Sequence, residues 1–90
     1  MAIISMFHGI IISMYYFDNN KHHIPHVHVR CQNAEIVLSI LDLTILDGFI
    51  PSNKLRLVNV WINLHKEELI SNWELAIAGE QMLKIEPLIY

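Results

Sequence analysis

Hydrophobic residues follow two different spacings along the chain. In the N-terminal half they alternate with polar residues or form short runs rich in β-branched and aromatic types, which is typical of strands. In the C-terminal half they recur every three or four positions, which is typical of amphipathic helices. The first pattern predicts strands at Ile3–Met6, Gly9–Phe17, His26–Cys31 and Ala34–Leu41. A further short strand is open at Thr44–Leu46, ended by the turn dipeptide Asp47-Gly48.

The strand His26–Cys31 has the clearest alternation. Its apolar and polar residues fall on opposite faces, because successive side chains of a strand point in opposite directions. If Gln32-Asn33 closes a two-residue hairpin, with Asn33 at positive φ, Arg30 stands opposite Glu35. The same register pairs His28 with Val37, Val29 with Ile36, and Val27 with Leu38. The residues predicted to face away from the core are His26, His28 and Arg30.

The helical pattern extends from Ser52, a candidate N-cap, to Gly79, a typical C-terminal stop. Because this stretch exceeds the usual helix length, two helices that break near Asn63–His65 are favoured over one long bent helix. Strands followed by helices predict an α+β fold, with a small antiparallel sheet of three to four strands packed by two C-terminal helices. The 90 residues fit a single domain, mainly β over 1–47 and helical over 52–79.

Composition changes this picture in two ways. Hydrophobic residues make up 53% of the chain, more than a lone domain of this size needs, so we expect a partner: a second copy, another small protein, or both. The net charge of −3 and the scattered lysines and arginines argue against binding of duplex DNA. A single cysteine, the lack of a signal-peptide pattern and the short apolar runs predict a cytoplasmic protein that does not enter a membrane.

Histidines are the unusual chemical feature, since four of the six lie within seven residues. Two histidines at positions i and i+2 of a strand share a face, where zinc, nickel or copper can bind both imidazoles. The candidate metal ligands are His23, His26 and His28, with His22 as an alternative to His23 and Glu35 as a source of oxygen. A transition metal is therefore possible, and the sequence indicates no other cofactor.

The same segment also suggests an enzyme. Histidine titrates near neutral pH, so His26 or His28 could transfer protons in phosphodiester cleavage while Arg30 holds a phosphate. The candidate catalytic residues of such a ribonuclease-type site are His26, His28 and Arg30. In the alternative, Arg30 pairs with Glu35 and the histidines are solvated strand residues. The sequence does not fit a histidine-triad nucleotide hydrolase, because Arg30 occupies the third histidine position.

A series of motifs along nearly the whole chain resembles one family. In order they are Gly9-Ile10, Met14-Tyr15-Tyr16, Pro25-His26-Val27-His28-Val29, Leu57-Val58, Trp61, Leu64-His65, Glu68-Leu69, Asn72-Trp73 and Ile85-Glu86-Pro87-Leu88. Their combination resembles the small bacterial family called domain of unknown function 4160. The chain departs from that family's pattern at His22, where Asp is usual, at Ile24, where Pro is usual, and at Val27, where an aromatic residue is usual. The loop between Asp18 and His23 also looks longer.

The resemblance implies a gene context rather than a chemistry. Genes of that family commonly lie beside those of another small family, domain of unknown function 2442, in an arrangement similar to toxin–antitoxin modules. This context implies a protein-binding component of a two-gene module. It leaves open both a ribonuclease-type toxin and a metal-binding domain that uses the histidine cluster.

Overall fold

The computed structural model describes residues 2–16 and 23–89, and this part of the chain contains a five-stranded antiparallel sheet and two helices. The strands are β1 (Ala2–Phe7), β2 (Ile10–Met14), β3 (His26–Cys31), β4 (Ala34–Ser39) and β5 (Ile45–Phe49), in that order across the sheet. The predicted α+β class is confirmed, with one strand more than expected. The second strand ends at Met14, and residues 17–22, which include most of the loop between Asp18 and His23, lie outside the described residues.

The fifth strand continues through Asp47 and Gly48, so the prediction of a turn there was wrong. Gly48 has φ 82°, and a Cβ on it would overlap the carbonyl oxygen of Glu35. One extra residue, Leu46, separates two successive pairs of β5 with β4, which makes a β-bulge. Glycine therefore serves a close backbone approach within the strand rather than a chain reversal.

The hairpin of β3 and β4 has the predicted register, with Arg30 opposite Glu35 and His28 opposite Val37. Its turn differs in one detail: Gln32, not Asn33, has positive φ, at 56°. In the turn types that two-residue hairpins favour, the first central residue takes positive φ, and this requirement overrides the local preference of Asn.

The helical half divides into α1 (Ser52–Leu64) and α2 (Lys66–Ile77), with the predicted break at His65. Ser52 is the first helical residue and not the N-cap, which is Pro51; no side chain caps this end. Gly79, with φ 75°, follows the end of α2, where the amide of Glu80 donates to the carbonyl of Leu75 at 2.8 Å. This hydrogen bond, which spans five residues rather than the four of an α-helix, is typical of a helix that ends at a glycine.

The helices cover one face of the sheet, which we call the inner face. Trp61 and Trp73 are buried there, as is Cys31. The C-terminal segment, residues 80–89, runs beside β1, where the amide of Ile85 donates to the carbonyl of Ile4 at 2.8 Å. Among the described residues, neither helix has the length and apolar character needed to cross a membrane.

Candidate functional site

The candidate metal-binding and catalytic residues of β3 were predicted to lie on the opposite face of the sheet, which we call the outer face. Strand pairing aligns one row of side chains straight across this face. Its members, one from each strand in order, are Met6, Ile11, Arg30, Glu35 and Phe49. We call this set the outer row. The two end residues are strongly exposed, Met6 at 59% and Phe49 at 73%.

Next to the outer row lies a pocket with about 330 Å³ of space, part of it open to solvent. Its lining residues are Ile3, Ile11, Ser13, Tyr15, His28, Val29, Arg30 and Glu35. The lining thus combines aliphatic side chains, the aromatic rings of Tyr15 and His28, and the charged side chains of Arg30 and Glu35. This outer pocket can hold an apolar or aromatic group beside one positive and one negative charge.

The wall formed by His28 is built from stacked rings. Tyr15 lies parallel to His28, with ring centroids 4.1 Å apart and 17° between the planes. His28 also meets the ring of His26 edge-on, at 5.4 Å between centroids. The structure therefore brings His26 and His28 together, as their alternate positions on β3 predicted.

His26 is buried, with 1% of its surface exposed, so the alternative of solvated strand histidines is wrong for this residue. Its Nδ1–H donates to the carbonyl of Ile24 at 2.8 Å, and its ring contacts Trp73 of α2 at 4.7 Å between centroids. The prediction that His26 faces away from the core is therefore wrong, because its ring packs against a core residue of α2 that the alternation along β3 could not reveal. These contacts give His26 a structural role at the start of the strand.

Arg30 and Glu35 face each other across the strands as predicted, with Nη2 and Oε2 3.7 Å apart. Both side chains are about half exposed, so the pair contributes little to stability, within about 1 kcal/mol. The distance is too long for a strong bidentate contact. The guanidinium is therefore accessible on the outer face while loosely associated with its neighbour's carboxylate.

The third proposed metal ligand is placed differently. His23 is exposed, and His22 lies outside the described residues. Within residues 2–16 and 23–89, no three or more side chains of His, Cys, Asp or Glu are grouped so that they could hold a metal ion. The part of the chain that the structure describes thus brings together two of the three imidazoles.

Sequence reasoning missed the apolar part of this site. Ile3, Ile11 and Tyr15 line the outer pocket because β2 pairs with β3 and places Ile11 beside Arg30 and Ser13 beside His28. The alternation of hydrophobic residues in β2 is weak, since Ile10, Ile11 and Ile12 are identical. The pairing register, which depends on both strands, was the missing information.

The fold and the pocket define a small α+β protein with a sheet that is covered on one face and bears a histidine-lined pocket on the other. The chain belongs to the family described as Domain of unknown function (DUF4160), whose model matches residues 9–74 of the 90. No curated protein and no solved structure matched the chain.

Proposed function

We propose that this protein is a protein-binding component of a two-gene, toxin–antitoxin-like module in the bacterial cytoplasm. The observation that carries the proposal is a set of exposed aliphatic side chains in the second half of α1 and in the adjoining β4–β5 connection, which we call the corner patch. Its members and their exposed fractions are Leu41 (55%), Ile45 (47%), Val60 (37%) and Leu64 (63%).

The corner patch forms where the end of α1 meets the turn between β4 and β5. The ammonium group of Lys66, two residues after Leu64, donates to the carbonyl of Leu41 at 2.9 Å and holds the two elements together. Val60 and Leu64 are one helical turn apart and share a face of α1. Ile45 begins β5, directly after the turn that carries Leu41.

Clustered exposed apolar side chains favour a binding role. Single apolar residues are common on protein surfaces, but contiguous apolar patches usually mark sites that bind another molecule. Desolvation of about four aliphatic side chains contributes several kcal/mol, at about 25 cal/mol per Å² of apolar surface. Membership of the DUF4160 family supports the same conclusion, because its gene context implies a co-encoded protein.

Co-expression with the product of the adjacent gene tests the proposal. We expect the two proteins to co-purify, and Leu64→Asp to weaken the complex by roughly tenfold or more because it places a charge within the desolvated patch. Leu83→Asp is the matched control, since Leu83 is 69% exposed and lies in the C-terminal segment, which contributes no residue to the patch. Equal binding by both variants, or failure of the wild-type proteins to co-purify, would contradict the proposal.

His28 and Arg30 support a second candidate, the ribonuclease-type toxin, because both line the outer pocket. In this function His28 transfers the proton and Arg30 holds the phosphate. Expression of the wild-type chain then arrests growth, and His28→Ala relieves the arrest at equal protein levels. Toxicity that persists in His28→Ala would rule this site out.

The metal-binding alternative needs His23 beside His26 and His28. Elemental analysis of untagged protein tests it: a stoichiometric transition metal that is lost in His28→Ala would support it. A metal content well below one ion per chain would argue against it.

A further inference from the structure

The outer face has a pattern of charge and shape that is complementary to itself. In the outer row, Arg30 and Glu35 occupy adjacent central strands, and Ile11 and Phe49 flank them on either side. Read across the sheet, the order is apolar, positive, negative, apolar. We propose that this face is the interface of a homodimer in which two sheets stack face to face about a two-fold axis that runs along the strands between β3 and β4.

The charges favour this placement of the axis. With the axis between β3 and β4, Arg30 of one copy lies over Glu35 of the other, and each charge meets its opposite. An axis through β3 itself, or one at right angles to the strands that runs along the outer row, would place Arg30 over Arg30 of the second copy. Like charges facing each other cost free energy, so the sequence selects the first arrangement.

The same axis brings an exposed ring to a pocket. It places Phe49 of one copy over Ile11 of the other, and Ile11 lines the outer pocket. The phenyl ring of Phe49, which is 73% exposed, thus enters the outer pocket of the second copy, and the reverse contact forms at the same time. A reciprocal aromatic anchor in an apolar pocket, beside a paired charge, is a favourable core for a protein interface.

The area of the outer face limits the affinity that we expect for the homodimer. Five strands about 4.8 Å apart, each rising about 3.4 Å per residue, span at most roughly 400 Å² on each copy. Less than this is accessible, because Val37 and Ser39 at one end of the face are buried. Standard stable interfaces bury about 800 Å² on each partner. We therefore expect a reversible homodimer that depends on protein concentration. The outer row and the corner patch have no residue in common, so the homodimer is independent of the proposed function.

Sedimentation at a series of concentrations tests the inference. We expect the wild-type chain to shift from monomer to dimer, and Phe49→Asp to weaken self-association by roughly tenfold or more. Ile89→Asp is the matched control, since Ile89 is 79% exposed but lies in the C-terminal segment, and it should behave as wild type. A wild-type chain that stays monomeric up to roughly millimolar concentration would overturn the proposal.

Charge reversal gives a sharper test of the axis. Arg30→Glu and Glu35→Arg should each weaken the dimer while leaving thermal unfolding nearly unchanged, because the pair within one copy is exposed. The double variant should restore self-association, since the opposite charges still meet in reversed order. A dimer that none of these changes affects, or that the double variant fails to restore, would refute this interface.

Binding of the adjacent gene product distinguishes a failure of the homodimer from a failure of the proposed function. Phe49→Asp should remove self-association and leave binding of the adjacent gene product intact, whereas Leu64→Asp should have the opposite effect. If the wild-type chain is monomeric and Phe49→Asp abolishes binding of that product, the outer face serves a different protein and the homodimer is refuted.

Discussion

The ring of Tyr15 lies flat against the ring of His28, with 4.1 Å between the centroids. Tyr15 directly follows β2, and His28 is in the middle of β3, so this stack fixes the chain as it leaves the second strand. Further ring contacts continue from His28 to His26 and from His26 to Trp73 of α2. A continuous series of aromatic contacts therefore connects the outer pocket to the helical layer.

Replacement of Tyr15 tests how much this stack stabilises the fold. Tyr15→Ala removes both the parallel ring contact and the apolar surface that the ring buries, so we expect a loss of roughly 1–3 kcal/mol in the free energy of unfolding. Urea denaturation measures this value. Tyr16→Ala is the neighbouring control, since that side chain is 38% exposed, and equal losses in the two variants would contradict a specific role for the stack.

His26 is predicted to matter more for stability than for chemistry. His26→Ala leaves a cavity beside Trp73 and leaves the carbonyl of Ile24 without its donor, so unfolding should become easier by about 2–4 kcal/mol. His23→Ala, at an exposed position, should change stability by no more than about 0.5 kcal/mol. If His26→Ala has the same free energy of unfolding as the wild type, the contacts of His26 are dispensable for stability and a functional role becomes the better explanation.

The part of the fold that the sequence predicts well depends on neighbouring residues. The β3–β4 register follows from a period-two pattern and a turn of two residues, and the break between the helices coincides with His65, whose Nδ1 is 2.6 Å from Oε1 of Glu68 on the next turn. Each of these features is determined within a few positions along the chain. The register was predicted from alternation, and the break from the length of the helical pattern.

The features that the sequence did not reveal depend on residues distant along the chain. Asp47-Gly48 looks like a turn locally, but the approach of Glu35 makes it part of a strand. The burial of His26 depends on Trp73, which only the packing of α2 brings near. The outer pocket likewise needs the pairing of β2 with β3. Such contacts have no signal in a single sequence.

Asn72 holds the C-terminal segment against α2, a role that its position in the sequence did not predict. Its side chain is buried, its amide group donates to the carbonyl of Leu83 at 2.8 Å, and its Oδ1 accepts from the amide of the same residue at 3.0 Å. We expect Asn72→Ala to lower the free energy of unfolding by roughly 1–3 kcal/mol and to speed hydrogen exchange at Leu83. Ser71→Ala, at the exposed neighbouring position, should leave that exchange rate unchanged, and a similar rise in both variants would contradict this role.

Asp42 links stability to acid pH. The amide of Thr44 donates to Oδ1 of Asp42 at 3.1 Å and lowers the pKa of this carboxyl from its ordinary value of 3.8. Because the folded-state pKa is depressed, the carboxylate stabilises the fold at pH values above 3.8, and this contribution is lost as the pH falls through the folded-state pKa. Asp42→Asn should therefore be less stable than wild type near neutral pH, with the difference closing in acid. Chemical denaturation across the pH range measures it, and a difference that grows with acidity would contradict the assignment.

Gly48 and Gly9 form a natural pair for separating backbone strain from steric overlap. Both have positive φ, 82° and 75°, but a Cβ at Gly48 meets the backbone of Glu35 whereas a Cβ at Gly9 has no neighbour within 4 Å. Gly9→Ala should lower the free energy of unfolding by about 1–2 kcal/mol, because only the left-handed conformation of the backbone is unfavourable for alanine there. Gly48→Ala should cost about 3 kcal/mol or more, because β5 must also move away from β4. Denaturation gives both values, and hydrogen exchange in β4 should rise only in Gly48→Ala; matching costs for the two glycines would mean that β5 can shift freely at the bulge.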